Sequence, residues 1–439
     1  MKIKNLAFFF VLLGIFAFFA EAQTPFVKVR NHQFFIGDQP YYYIGTNYWY
    51  GTLLGLEKDK RRGVERLRKE LDFLKANGVT NLRILAGAEG SGLINGVARV
   101  APPLQPEQGK FNEEILDSLD LILYEMGKRN LKAIVFLSNN WEWSGGFQQY
   151  LIWNKEVPKE QETRKLTWDE QRDIVSRFYA CDACRRAYNE QLNLVLSRTN
   201  KLSRKKYTDD PAIMAWELAN EPRPMRPAAN DDYKKWIRDV AALIKSKDKN
   251  HLVSIGHEGS IGTEGMNLFE EIHADKNVDY LTIHIWAKNW GWFEGDKVAE
   301  GFPNVVEKMT AYLNEHLEIA KKLDKPLVIE EFGLPRNAQS FDIASSTSLR
   351  DEYYNKIFSR LAASAKSSGY LAGANFWAFG GAARPVKGQV FWKKGDDYMG
   401  DPPMEEQGLN TVFDSDKTTW AIINKYSKSM ENVKRKVEN

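Results

Sequence analysis

The chain has 439 residues, in which 61 Lys and Arg face 58 Asp and Glu for a formal net charge of +3. That balance sets up no field to recruit nucleic acid or a membrane surface, whereas 13 Trp, 18 Tyr and 24 Phe supply flat rings that suit sugar faces as well as a core. The length exceeds one ordinary domain but is within reach of a barrel of about 250 residues carrying insertions.

Residues 1–22 read as a cleaved export signal. Lys2 and Lys4 form its basic start, "LAFFFVLLGIFAFFA" its apolar stretch, and Ala20-Glu21-Ala22 its small-residue cleavage site. The apolar stretch is shorter than the ~20 residues of a spanning helix. The mature chain, residues 23–439, is therefore expected to be secreted, extracellular or periplasmic, a soluble monomer without a membrane partner.

Eight strand candidates follow: 41–49, 81–85, 131–137, 213–220, 251–256, 280–286, 326–333 and 371–379. Between them lie amphipathic segments such as "GVERLRKELDFLKANG", whose final Asn-Gly marks a helix stop. Eight alternating units predict an α/β fold, a closed (β/α)8 TIM barrel forming one domain. A doubly wound sheet would want a glycine-rich nucleotide turn after an early strand, which "IGTNYWYG" is not. Two long connections, 138–211 and 380–418, follow strands and so belong on the C-terminal face, where long loops build a cleft.

Cys181 and Cys184 lie in "FYACDACRRAY", a pattern that looks helical. Neighbours one helical turn apart pair poorly, so buried or free thiols are expected, with a local disulfide second and a redox motif third. The six histidines are dispersed, and "DSD" at 414–416 is too short for a calcium loop. No metal site and no cofactor are expected. The acidic pairs Asp396-Asp397 and Glu405-Glu406 read as solvated charge or loop staples.

In such a barrel, polar residues at strand C-termini read as catalytic. The rule selects Asn220 and Glu221 in "AIMAWELANEPRP", where Pro222 ends the strand, and Glu331 in "PLVIEEFG". Arg83, His284, Trp286 and Trp377 join them. Two facing carboxylates suit glycosidic cleavage, one protonating the leaving oxygen while the other meets the oxocarbenium ion. Side-chain alternation would turn Glu330 away from Glu331, toward the barrel wall or a helix. Glu217, deeper on the face of Glu221, reads as a structural hydrogen-bonding group.

"WELANEP" followed by "VIEEFG", with "NLRIL" before and "NFWAFGG" after, resembles glycoside hydrolase family 5, retaining barrel enzymes whose glutamates end strands four and seven. "NNWEWSGG", "IGHEGS", "HIWAKNWGW" and "GDPPMEEQGLNTVFDSD" resemble its endo-β-1,4-mannanase branch. The resemblance spans about Phe26 to Trp420. It implies Glu221 as acid/base, Glu331 as nucleophile held ionised by Arg83, Asn220 on the sugar 2-hydroxyl, and His284 beside the acid/base. Many relatives carry tyrosine two positions on. Trp286, which cannot ionise or accept, puts the contact to the nucleophile in question and reads equally as sugar platform or packing. Trp377 is the implied platform under the cleaved sugar; Arg223 and Glu258 face the leaving-group side, with Trp141 a second platform and His257 as easily structural. The expected substrate is β-mannan or a manno-oligosaccharide. A β-1,4-glucanase and a non-catalytic polysaccharide-binding barrel are the alternatives.

Overall fold

The computed structural model describes residues 25–158, 160–161 and 164–437; the export signal read at 1–22 lies outside them. All eight expected strands are present: β1 (Tyr43–Asn47), β2 (Asn81–Leu85), β3 (Lys132–Phe136), β4 (Ile213–Glu217), β5 (Leu252–Ser254), β6 (Leu281–Ile285), β7 (Leu327–Phe332) and β8 (Leu371–Phe376). They pair in parallel in the spatial order β5-β4-β3-β2-β1-β8-β7-β6. The β5 to β6 seam is joined outside the ladder, by Asp279 N donating to Val253 O at 2.8 Å and His257 N donating to Thr282 Oγ1 at 2.7 Å. Every residue of these strands is buried, because side chains fill the inside while helices cover the outside. A (β/α)8 barrel results.

The helical layer follows the apolar periodicity. In α1 (Lys60–Ala76) the buried positions Gly63, Leu67, Leu71 and Leu74 form one stripe, and Asp59 caps the start by accepting from Arg62 N at 3.1 Å. Gly78, just beyond the end, has φ +80, and a Cβ there would meet Ser427 Oγ at 2.1 Å, so only glycine fits. Further round the layer come α2 (Glu113–Lys128), then α3 (Gly146–Trp153), α4 (Trp168–Val175) and α5 (Asp182–Leu196) within the long third connection. The remaining helices are α6 (Asn230–Lys247), α7 (Met266–His273), α8 (Val298–Leu323), α9 (Ser348–Ser367) and α10 (Lys417–Val437). At the opposite end, the antiparallel strands Val27–Arg30 and Gln33–Ile36 place Phe34 edge-on against Tyr280, ring centres 5.3 Å apart. Phe34 thus plugs the barrel floor.

Two expectations need correction. Cys181 and Cys184 form a disulfide with Cα atoms 5.3 Å apart, not free thiols. Cys181 is the N-cap of α5 with extended backbone, φ −79 and ψ 96, so the two cysteines are not both helical and their separation falls in the bonding range. The second concerns Glu330. The register of β7 on β6 slips between Ile283 and His284, so Ile329 faces Ile283 while Glu331 faces His284. Glu330 is the extra residue, and it turns inward, its Oε2 4.0 Å from Arg83 Nε.

Behind β5 and β6 lie three buried histidines, His257, His273 and His316. Burial lowers His273 to about 3 and His316 to about 4, and holds His257 well below its ordinary value. His316 shows the cause in its bonds: Nδ1–H donates to Tyr312 O at 2.7 Å and Nε2 accepts from Ser260 N at 2.9 Å, so a second proton would break the Ser260 bond. Such groups bind protons more readily unfolded than folded. Their contribution is complete above the unfolded value of about 6.5 and is lost as pH falls toward the folded values. Urea unfolding should therefore show stability declining from pH 6.5 to 4, by roughly 1.4 kcal/mol per pH unit for each titrating ring. In His316→Gln the decline should be shallower.

Candidate active site

The buried guanidinium of Arg83, on β2, organises the C-terminal rim. Its Nη2 donates to Glu217 Oε1 at 2.5 Å and Asn220 Oδ1 at 2.7 Å, and its Nη1 donates to Glu331 Oε1 at 2.5 Å and Asn47 Oδ1 at 3.0 Å. Strands β1, β4 and β7 each send a side chain to this one cation on β2, which is why residues so distant in sequence meet. Asn47, at the end of β1, was not singled out from the sequence.

Asn220 extends the edge of β4 by bridging to Asn139, its Nδ2 donating to Asn139 Oδ1 at 3.1 Å. Glu221 follows with φ +50, a left-handed conformation uncommon for a residue with a side chain, held by its N–H donating to Gly256 O at 2.9 Å. With Pro222 next, the strand turns there and Glu221 enters the cleft. The local strain is the kind found where function fixes the backbone.

An oxygen of Glu221, an oxygen of Glu331 and a nitrogen of His284 all lie within 4.8 Å of one another. His284 Nδ1 is 2.6 Å from Glu221 Oε1 and 3.4 Å from Glu331 Oε2. Burial and the charge on Arg83 hold this ring well below its ordinary pKa, hence neutral. A bare lone pair facing two carboxyl groups would be repelled, so the single ring proton sits on Nδ1. Trp141 Nε1 donates to Glu221 Oε2, and Trp286 Nε1 donates to Glu331 Oε2 at 3.0 Å. Trp286 therefore keeps a contact to Glu331, with an indole as the donor. The triad is the one cluster of its kind among the described residues, and nitrogen donors engage all four carboxyl oxygens, an environment for proton chemistry.

Burial raises both carboxyl groups, and Arg83 then Glu221 are the next influences on Glu331. They titrate as a pair. Glu331 lies in direct contact with a full positive charge, whereas Glu221 touches only the neutral donors His284 and Trp141. When the pair holds one proton, contact with Arg83 puts the charge on Glu331 and leaves the proton on Glu221. A third carboxyl adds to this arithmetic. Glu330 is fully buried, accepts from Tyr280 Oη at 3.3 Å, and has an Oε2 that no donor reaches. Burial and neighbouring Glu217, within hydrogen-bonding reach, raise it well above the carboxylate range. Both influences hold it toward its neutral form.

The cleft encloses about 730 Å³, lined by Trp141, Trp168, Trp286, Trp290 and Trp377 among others. Trp377 packs edge-on against Trp286, ring centres 5.7 Å apart. On the Glu221 side, Arg223 forms a two-point pair with buried Glu258, its Nη2 donating to Oε2 at 2.7 Å, and lies over the Trp141 ring at 5.0 Å. His257 accepts from Gly259 N at 2.9 Å and is a loop support outside the cleft lining. Of the ten residues expected from the sequence, Glu221, Glu331, Asn220, Trp286, Trp377, Arg223, Glu258 and Trp141 line this space, while Arg83 and His284 lie fully buried behind it and bond to the two carboxyl groups. The opposite wall was missed. Asp401 gathers its loop, accepting from Gly408 N at 2.9 Å and Thr411 Oγ1 at 2.7 Å. Glu406 pairs with Lys288 at 2.7 Å, and Glu405 lines the cleft with burial raising it to about 8. Glu406 is thus the loop staple that the sequence offered as an alternative to solvated charge, and Glu405 faces the cleft because the loop folds back over the rim, tied also by Trp49 Nε1 donating to Gly400 O at 2.7 Å.

Comparison with known proteins decides the family. A family model described as glycoside hydrolase family 5, beta-mannosidase-like, matches residues 24–435. The chain belongs to that family. Within glycoside hydrolase family 5, a mannosidase from Rhizomucor miehei is 31% identical, superposes with a TM-score of 0.83, and covers 94% of this chain and 100% of its own. A putative mannan endo-1,4-beta-mannosidase 9 of Oryza sativa subsp. japonica is 28% identical over 81% of this chain and 82% of its own length. The endo-beta-1,4-mannanase of Thermotoga petrophila, 22% identical with a TM-score of 0.63 over 89% of this chain and 77% of its own, shares the barrel fold.

Glu330→Gln replaces a neutral acid by a neutral amide and should change the unfolding free energy by less than about 1 kcal/mol. Glu217→Gln removes the bidentate partner of a buried cation and should cost about 3 to 5 kcal/mol. Urea titration of both variants at pH 7 checks the contrast.

Proposed function

We propose that this chain is a retaining endo-β-1,4-mannanase, an exported single-domain enzyme whose mature part spans residues 23–439. The observation that carries the reading is the facing pair Glu221 and Glu331, with oxygens within 4.8 Å. Double displacement uses carboxyl groups about 5 to 5.5 Å apart, whereas inversion leaves space for a water between them. The mannan assignment is supported by the names of the relatives, the Oryza protein and a mannan endo-1,4-beta-mannosidase 1 of Arabidopsis thaliana among them. Among the described residues no helix is long and apolar enough to cross a membrane.

In the proposed reaction the Glu331 carboxylate attacks the anomeric carbon while Glu221 gives its proton to the departing glycosidic oxygen. The carbon–oxygen bond breaks and a glycosyl ester of Glu331 forms. Glu221, now an anion, takes a proton from water; the water oxygen attacks the anomeric carbon and expels Glu331, so two inversions give net retention. Asn220, its carbonyl fixed by Arg83 and one amide hydrogen by Asn139, keeps its second amide hydrogen for the sugar 2-hydroxyl. Trp377 supports the sugar being cut.

A second reading, release of single mannose units from chain ends, is favoured by the wall that holds Glu405 and Asp401. Carboxyl groups there can hydrogen-bond terminal hydroxyls and block a longer chain. The Rhizomucor miehei mannosidase, solved in one form with mannosyl-fructose, superposes with a TM-score of 0.84, against 0.65 for an endo-1,4-beta-mannanase of the same organism. Product analysis of undecorated manno-oligosaccharides separates the two: mixed internal fragments for endo action, mannose alone for the other.

Three outcomes test the chemistry. NMR of the first product should show the β-anomer, and Glu331→Ala should lose turnover by on the order of 10³-fold or more while still binding. Trp286→Phe removes a donor that stabilises Glu331 as it leaves the glycosyl ester and should slow that second step by about tenfold, read as a fall in kcat with kcat/KM little changed. Losing that donor raises the pKa of Glu331, so the acid limb of the pH profile should move to higher pH.

A further inference from the structure

Glu89 lies just past the end of β2, fully buried, and the proposed reaction gives it no part. Four donors close on its carboxyl group, and all are neutral. Oε1 accepts from Ser138 Oγ at 2.8 Å, Gln191 Nε2 at 2.8 Å and Tyr150 Oη at 3.3 Å, while Oε2 accepts from Gly146 N at 3.1 Å. Burial raises it to about 7, and among the described residues no cation forms an ion pair with it. Burying a carboxyl group without a cation costs stability. What this one holds is specific: Ser138 begins the turn between β3 and α3, and Gly146 ends it.

The turn also fits against the Glu89 backbone. Glu89 N donates to Ser144 O at 2.8 Å, and Gly145 has φ +93 and lies so close that a Cβ there would overlap Glu89 O. The first glycine of the pair in "NNWEWSGG" is thus required by this contact. Between the clamped ends sit the groups that meet the cleft. Asn139 Oδ1 accepts from Trp141 N at 3.0 Å and from Asn220 Nδ2 at 3.1 Å, Asn140 N donates to Asn220 O at 2.9 Å, and Asn220 N donates to Ser138 O at 2.9 Å. Trp141 Nε1 then donates to Glu221 Oε2. Hydrogen bonds therefore run through the turn from Glu89 to the proton donor.

We propose that Glu89 is a positioning residue for the acid/base: by clamping both ends of the 138–146 turn it aims the Trp141 N–H at Glu221 and so sets how tightly Glu221 holds its proton. An N–H directed at a carboxyl oxygen favours the anion. The proton must stay on Glu221 until substrate is bound and leave readily as the glycosidic bond breaks. A donor that swings out of line upsets that balance, because the bond weakens steeply with angle. The role rests on the hydrolase reading above. Glu89 bonds to neither carboxyl group of the reacting pair, so its effect travels through the turn.

The test is the pH profile of kcat/KM on a linear β-1,4-manno-oligosaccharide, whose basic limb reports loss of the Glu221 proton in the free enzyme. Glu89→Gln keeps the volume but sets an amide NH2 against one of the four donors, which frees an end of the turn. The basic limb should then move to higher pH by about one unit, the scale of one hydrogen bond to a charged group. Trp141→Phe should move it equally, and the double variant no further. The other groups facing Glu221, namely Glu331, His284, Arg83, Arg223, Glu258 and Glu405, are the same in all three variants. Loss of the Glu89 charge by itself acts with the opposite sign, because one anion fewer makes Glu221 easier to ionise. A limb that stays in place or moves to lower pH in Glu89→Gln, or shifts that add in the double variant, overturns the positioning role and leaves the hydrolase reading standing. Should Glu89→Gln fail to fold, Ser138→Ala removes one donor and should move the limb in the same direction; a limb that stays in place there overturns the role. Wild type without turnover on this substrate overturns both.

Discussion

One buried cation sets the terms for everything at the rim. Arg83 has no solvent to neutralise it, so it must be paired where it lies, and three strands bring oxygen atoms to it. An unpaired charge at that depth would cost several kcal/mol. The barrel closure and the placement of Glu331 are therefore one problem with one solution. Arg suits it better than Lys would, because the planar fork reaches Glu217, Asn220, Glu331 and Asn47 in fixed directions.

One positive charge cannot serve four carboxyl groups, and the resolution lies in protonation. Glu330 is a neutral acid, and Glu217 takes the two-point contact. Glu331 keeps one short contact, and Glu221 keeps none. Contact with Arg83 thus separates Glu331 from Glu221 within the coupled pair. It also assigns the two roles of the proposed reaction without appeal to where the glutamates lie in the chain. His284 adds a neutral bridge whose one proton faces both reacting groups.

The strand pattern was legible because each barrel strand is buried on both faces and so reads as a continuous apolar run between helical stripes. Glu221 was legible because the run ends in Asn-Glu-Pro, a terminus that a core strand has no use for. What the sequence hid was local register and long-loop folding. Alternation along β7 would send Glu330 outward, and a one-residue slip against β6 reverses that. Cys181 looked helical but is an N-cap. Glu405 and Glu406 read as solvated charge or loop staples because nothing local says that residues 380–418 fold back; the ties come from far along the chain, among them Trp49 to Gly400 O and Lys288 to Glu406.

The indole at position 286 bears on both halves of the proposed reaction. A donor to the Glu331 anion stabilises the nucleophile before attack, which weakens it, yet the same donor stabilises Glu331 again as it departs from the glycosyl ester. A phenol in that place can turn its hydroxyl and accept; the N–H of an indole cannot. With Arg83 already on Oε1 and Trp286 on Oε2, Glu331 has no oxygen free of a donor. That arrangement favours the second step, the release of the carboxylate, more than the first. The enzyme then accumulates less of its covalent intermediate than one in which the nucleophile is held by a single donor.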